Sequence, residues 1–525
     1  MQTDIVASLS MSGDATASPL HAPAAGRGRG TLRGLAGALS EADARTVAGA
    51  LALTAIVALS LLVVVMAADR PSLLSATTHA NFLPGWMAGP LGGIWPGLTR
   101  NGTTLKYLFT GAIVVMYAAY LTGLACAPRL PVRWVIAAIV AVHAIFVLAP
   151  PMALTDVFNY VNYGRMEVVH HLNPYTSIPI VEPHDDPAFV LSNWHQLLSP
   201  YGPLFTLLTF AVVPLGVAAS FWVLKAILVA ASLATLLLVW KCAKLLGRDP
   251  VAAVVLVGLN PIVLVWGLGG DHNDFLMVFF IVLAFYLLLI ARERTTPSGP
   301  STAARPGWLL PLRAPEIGAG AALVIATGIK ASAGVLLPVV LVGLLRAPRA
   351  LVQVVLGMLI AGAVVGVVSL MAFGLHIPDL STQGRLVTNE SIPNLIGLAI
   401  GAGGESETLR EVMSGTLAAL ILGCCWMAFS RRRPAPDRWL TASGWSSVAL
   451  LVTLSWVLPW YVLWVLPLAA LSSSRRLRVA ALVLGAYLIV AWAPASGLLW
   501  NAIGFHPEKT PLGRLHQRYV KELLN

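Results

Sequence analysis

Residues 133–150 read RWVIAAIVAVHAIFVLAP, and past Pro151 stands the polar stretch Thr155-Asp156-Val157-Phe158-Asn159-Tyr160-Val161-Asn162-Tyr163-Gly164-Arg165-Met166. A helix needs about 20 apolar residues to cross a bilayer, and the first segment is close to that length. The Pro150-Pro151 break ends it, so Asp156 falls at the depth where lipid headgroups begin. A carboxylate is expensive in that position and is a functional candidate by default.

The same alternation recurs along the chain. Apolar runs fall near 47–68, 105–126, 204–219, 220–244, 251–268, 275–291, 316–329, 331–345, 350–374, 411–430, 439–457, 460–472 and 478–499. Of 525 residues, 57% are hydrophobic and 11% charged, where soluble domains carry roughly 25% charge. Only helices and closed barrels satisfy their backbone in lipid, and these runs are too long and unbroken for barrel strands. The predicted fold is all-α, a polytopic transmembrane helical bundle of about 13 spans with juxtamembrane helices in an external loop. The run 204–219 is short and holds Pro214 and Gly216, so it is read as re-entrant or interfacial.

Residues 1–46 are rich in Ala, Gly and Ser, carry Arg27, Arg29, Arg33 and Arg45, and lack an apolar core followed by a cleavage site. They predict a disordered cytosolic arm ahead of a signal-anchor span, with a transmembrane domain over 47–500 and an external tail over 501–525. With the arm inside, most of the 34 Lys and Arg fall in inner loops and most of the 23 Asp and Glu at the outer face, as the positive-inside rule requires. The net charge of +11 is therefore a topology signal and no sign of nucleic acid. The loop 292–315, rich in Pro, Ser and Arg, reads as a linker. The four cysteines, Cys126, Cys242, Cys424 and Cys425, have no metal-ligand spacing and read as small packed hydrophobes.

The polar outer loops hold the candidate chemistry. Asp156 reads either as a helix cap or as a reacting carboxylate. Arg165 suits a phosphate, or snorkels to headgroups. Gly270-Asp271-His272-Asn273-Asp274 is too polar for a mere turn, and His272, Asn273 and Asp274 suit sugar hydroxyls. Lys330, between two apolar runs, needs an anion: a lipid-linked phosphate, or a protein carboxylate such as Asp274. Arg385 and Arg410 lie in 375–410, and Tyr160, Trp460 and Tyr461 offer stacking faces or mark the interface belt. An Mg or Mn ion could use the oxygen-rich 271–274 loop or the cluster His170, His171, His184, Asp185, Asp186, although neither matches a closed metal motif.

The pieces Asp156 to Met166, Asn173-Pro174-Tyr175, Tyr201-Gly202-Pro203-Leu204, Asn260-Pro261, Gly270 to Asp274 and Pro459-Trp460-Tyr461 occur in an order that resembles the C-type superfamily of integral-membrane glycosyltransferases. Within it, the chain is similar to the actinobacterial polyprenol-phosphate-mannose-dependent alpha-1,6-mannosyltransferases of lipomannan synthesis. One departure is that Asp271 precedes His272 where the resemblance leads one to expect Gly. The resemblance implies a multi-pass plasma-membrane enzyme that moves a sugar, mannose by this likeness, from a polyprenyl-phosphate donor to a glycolipid or glycan acceptor on the external face, with inversion. It implies Asp156 as catalytic residue, Lys330, Arg165 and Arg385 at the donor phosphate, and His272, Asn273, Asp274, Tyr160, Trp460 and Tyr461 at the sugar or acceptor. The rivals are a sibling transferase with another sugar or acceptor, lipid or protein, and a transporter or flippase for lipid-linked sugars.

Overall fold

The computed structural model describes residues 28–68, 84–95, 102–152, 155–295, 314–430, 432 and 435–524. Among them every regular element is a helix. The first three are α1 (Gly28–Ala68), α2 (Gly102–Cys126) and α3 (Val132–Val147). The polar stretch follows as α4 (Asp156–Val168), with α5 (Pro187–Leu191) in the loop beyond it. Next come α6 (Pro203–Val212), α7 (Val217–Leu245), α8 (Pro250–Gly258), α9 (Asp274–Thr295) and α10 (Ala314–Ile329). Then follow α11 (Leu336–Leu344), α12 (Pro348–Phe373), α13 (Leu380–Gln383), α14 (Ile392–Ala399) and α15 (Glu407–Phe429). The chain closes with α16 (Ala435–Thr453), α17 (Leu466–Leu471), α18 (Arg475–Trp492), α19 (Ser496–Ala502) and α20 (Pro511–Leu524).

Among the described residues six helices are long and apolar enough to cross a membrane, or seven if the bent pair α18 and α19 makes one span. The expectation of about 13 spans is thus not what helix length gives. The difference lies in breaks that interrupt apolar runs. Run 251–268 stops at Asn260-Pro261, where the Asn260 side chain accepts from the Ile262 N–H at 3.0 Å, and resumes as a π-helix over Val263–Leu268. Run 460–472 divides into a 3-10 turn over Pro459–Trp464 and the short α17. Run 204–219 is the short α6 and a 3-10 turn, as Pro214 and Gly216 suggested.

Helix α1 begins at Gly28, inside the stretch read as an arm; residues 1–27 of that arm lie outside the described residues, as does most of the 292–315 linker. The four cysteines are buried and free. One continuous apolar core joins α1 to α3, α7 to α11 and α16 to α18. Helices α12 and α15 instead present apolar residues such as Leu359, Met371, Leu422 and Trp426 outward, the surface a bilayer would cover. The C-terminal segment is no free tail. Leu523 of α20 packs with Leu197 and Leu386, its carbonyl accepts from the Gln196 N–H at 3.0 Å, and the Tyr519 hydroxyl donates to the Thr382 carbonyl at 3.1 Å.

Two sequence motifs are joints in this frame. Asn173 donates its amide to the Phe373 carbonyl at 3.0 Å, and the Tyr175 hydroxyl donates to the Tyr201 carbonyl at 2.8 Å. The Gly202 N–H donates to the Ile329 carbonyl at 3.1 Å, which docks Tyr201-Gly202-Pro203 on the end of α10 beside Lys330. A Cβ on residue 202 would collide with the Gly328 carbonyl, a backbone atom that cannot swing away. Gly202→Ala is therefore expected to cost about 1–3 kcal/mol, read as a lowered melting temperature of the purified protein. An unchanged melting temperature would mean the joint is loose.

Candidate active site

The polar segments that are distant in sequence meet in one cavity of about 1000 Å³. Its wall includes Asp156, Tyr160, Tyr163, Trp194, Tyr201, His272, Lys330, Arg385, Arg410, Trp460, Tyr461 and Trp464. That volume lies at the upper end of the range for small-molecule sites.

Asp156 is the first residue of α4, preceded by Thr155, whose side chain makes no cap hydrogen bond. The carboxylate sits at the positive end of the helix dipole. Its Oδ2 is 3.2 Å from Nδ1 of His272, with the Asp156 side chain 17% exposed and that of His272 1% exposed. The His272 ring lies flat on Trp460, with centroids 3.3 Å apart and an interplanar angle of 9°. Tyr160 stands edge-on to Tyr201 and Phe205, and its hydroxyl accepts from the Asn273 N–H at 3.4 Å.

Lys330 faces the cavity and is also paired. Its Nζ donates to both oxygens of Asp274, at 2.9 and 2.8 Å, and lies 4.8 Å from the Tyr461 ring centre and 5.5 Å from that of Trp464. Trp464 Nε1 donates to Asp274 Oδ1 at 2.5 Å. The ammonium has three N–H groups, so one remains beyond the two directed at Asp274. Arg385 lines the cavity and has no carboxylate partner among the described residues, whereas Arg410 pairs with Glu405 at 3.2 Å.

Three expected site residues are placed elsewhere. Arg165 is absent from the cavity wall: its guanidinium forks onto Asp186, with Nε at 2.9 and 3.0 Å and Nη2 at 2.7 Å, and His170 Nε2 shares that carboxylate at 2.8 Å. Burial pushes the Asp186 carboxyl up, but Arg165 and His170 hold it below its ordinary 3.8. This cluster, a candidate metal site by composition, is an ion-pair anchor for the loop. Asn273 and Asp274 lie fully buried behind the wall, Asp274 as the partner of Lys330 and Asn273 with no hydrogen bond to its side-chain amide. Among the described residues no group of three or more His, Cys, Asp or Glu is arranged to hold a metal ion.

Other polar residues of α4 hold the loop that roofs the cavity. Asn159 Oδ1 accepts from the N–H groups of Asn193 and Trp194, the Tyr163 hydroxyl donates to the Leu197 carbonyl, and Asn162 Nδ2 donates to Glu182 Oε1 at 2.6 Å. Burial raises the Glu182 carboxyl from 4.5 to about 8, against the Asn162 hydrogen bond, with Asp186 raising it further and Arg165 lowering it. Between these values the folded chain binds a proton that the unfolded chain has released, so stability falls as pH rises from about 4.5 to about 8. Glu182→Gln should flatten that decline, gaining melting temperature over the wild type at pH 9 but little at pH 5. Parallel curves for the two proteins would contradict it.

Trp464 and Tyr201 escaped the sequence reading as site residues. A signal existed for Trp464, since it stands three residues after Tyr461 and a 3-10 turn puts both on one face.

Known protein families match most of the chain. The family profile described as "Alpha-(1->6)-mannopyranosyltransferase, N-terminal domain" matches residues 47–346, and the MptB C-terminal domain matches 391–505. The chain is 27% identical to alpha-(1->6)-mannopyranosyltransferase A of Mycobacterium tuberculosis over 375 residues, covering 66% of this chain and 67% of that protein. It is 24% identical to the protein of that name from Corynebacterium glutamicum, covering 60% and 66%. A second alpha-(1->6)-mannopyranosyltransferase of M. tuberculosis is 28% identical, covering 64% and 65%. The aligned part thus spans about two thirds of the length of these relatives. No solved structure matches the chain.

Proposed function

We propose, from the premise that this chain belongs to the alpha-(1->6)-mannopyranosyltransferase family, that it transfers mannose from a polyprenyl-phosphate donor to a glycan or glycolipid acceptor in the cavity above α4. The observation that carries the reading is the cavity whose wall brings Asp156 together with Lys330, Arg385 and Arg410 and the rings of Trp460 and Tyr461, with Glu407 and Glu411 beside the two arginines in the lining. The linkage formed is alpha-1,6, within mannan of the lipomannan type, and the architecture is of the C-type.

The acceptor hydroxyl oxygen attacks the anomeric carbon of the donor as Asp156 takes its proton, a contribution of about 10²–10⁴ in rate. The bond from that carbon to the phosphate oxygen breaks, and its electron pair leaves with the polyprenyl phosphate. The added charge is met by Lys330 and Arg385 in a site partly shielded from water. One carboxylate acting on a phosphate leaving group needs no covalent sugar–enzyme step, so the anomeric centre inverts. His272, wedged between Trp460 and Asp156, keeps the carboxylate aimed, and the aromatic wall stacks on the sugar. The basic inner loops and acidic outer loops support a cytosolic N-terminus and a cavity on the external face of the plasma membrane. About thirteen crossings remain the reading from loop charge, with shorter helices such as α3 and α10 counted as crossings.

The test supplies membranes containing the protein with radiolabelled polyprenyl-phosphate mannose, arabinose or glucose, followed by linkage analysis. Transfer from the mannose donor alone, into an alpha-1,6 product, is the expected result. Preferred transfer from another donor would overturn the sugar assignment.

A further inference from the structure

We propose that the buried ion pair between Lys225 and Asp271 is a positioning device that presses His272 between Trp460 and Asp156. The inference rests on the reading of Asp156 and His272 as part of the reaction site.

Lys225 lies in the first third of α7, and its Nζ donates to both Asp271 oxygens at 2.9 and 3.1 Å; the two side chains are 0% and 1% exposed. A pair removed so fully from water adds little net stability, and apolar residues of similar volume often do as well or better. Its location gives it another use. Asp271 holds the left-handed backbone conformation at φ +58°, a region that favours glycine and strains other residues. Gly269 and Gly270 stand immediately before it, yet the strained position carries the carboxylate. The following residue is His272.

The loop backbone alone does not fix that ring. The Asp271 N–H reaches the Leu268 carbonyl at 3.4 Å and the His272 N–H reaches the Gly267 carbonyl at 3.5 Å, beyond the usual range of N–H···O bonds. The bond from Lys225 to Asp271 is the short anchor. One turn earlier on α7, Phe221 stacks on Phe158 of α4, with centroids 6.1 Å apart and planes at 20°. A single turn of α7 thus grips α4 two residues after Asp156 and the loop one residue before His272. The Met152 N–H donates to the Gly269 carbonyl at 2.8 Å and ties the two segments once more. This gives Asp271, the departure noted in the sequence, a role.

The test measures transfer kinetics and melting temperature of the full-length protein. The double variant Lys225→Met/Asp271→Asn removes both charges without stranding either, so it should stay folded, its melting temperature lowered only by the one buried amide left without a partner. Its kcat should fall about 10-fold, since small misplacements of a reacting group are costly, while KM for polyprenyl-phosphate mannose stays within about 2-fold. In a His272→Ala background, the same double change should cost no further kcat, because coupled residues are non-additive. A double variant with wild-type kcat, or an equal loss of kcat from that double change with and without His272, overturns the proposal. Wild-type transfer by His272→Ala would instead bring down the site reading, and the positioning role with it.

Discussion

Asp156→Asn should reduce mannosyl transfer by about 10²–10⁴ while the protein remains folded and still binds donor. Asn keeps the size of the side chain and loses only the charge that accepts a proton. The structural cost is small. Asp156 lies in the first turn of α4 and makes no cap hydrogen bond through Thr155, so the fold loses only a favourable charge at a helix N-terminus, about 0.3–1 kcal/mol. His272 Nδ1 lies 3.2 Å away without a hydrogen bond to the carboxylate, so the amide leaves no such bond broken. Rate and stability should therefore separate widely. Transfer measured at saturating donor, beside a melting curve, reads both. A variant that transfers within a few-fold of the wild type removes Asp156 from the chemistry.

Lys330→Met should lower both transfer and stability, and the two losses can be pulled apart. Lys330 Nζ bridges both oxygens of Asp274, whose side chain is fully buried. Removing one partner of a buried pair leaves a carboxylate stranded, at a cost of about 3–5 kcal/mol. Here Trp464 Nε1 still donates to Asp274 and the Lys330 side chain is 20% exposed, so the lower end applies. Adding Asp274→Asn should restore the melting temperature by removing the stranded charge. It should not restore transfer, because the departing phosphate still lacks its cation. We expect the double variant to need at least about 10-fold more donor for half-maximal rate, a loss of the size of one charge-assisted contact. Full recovery of transfer would make Lys330 a structural partner of Asp274 and nothing more.

The pairing of Lys330 shows where sequence reading reached and where it stopped. A lysine between two apolar runs had to find an anion, and both a phosphate and Asp274 were open to it; 56 residues separate it from Asp274, and only the packing of α9 beside α10 brings the two together. The membrane class and the special character of 155–166 were legible because burial in lipid penalises charge strongly and polar residues must have a reason. The fate of Arg165 was not, since its partner Asp186 lies 21 residues on in a loop with no periodicity. The partners of Asn159, Asn162 and Tyr163, which are loop backbone and Glu182, likewise lie far along the sequence. Helix length gives six or seven spans among the described residues where the apolar runs suggest about 13, because apolar composition marks what lipid or core will accept but not whether a helix runs unbroken. Asn260-Pro261 interrupts one apolar run, and another is split between the 3-10 turn Pro459–Trp464 and α17.

The central claim is that the donor occupies the cavity shared by Asp156, Lys330 and Trp460, and covalent capture tests it most directly. A polyprenyl-phosphate mannose carrying a diazirine on the sugar, photolysed with the intact protein and mapped by mass spectrometry, should label peptides holding residues 156–163, 330–335 or 456–464, and unlabelled donor should suppress that labelling. Suppressible labelling confined to the opposite side of the protein, as on the peptides around Arg248 and Arg475, would contradict the account.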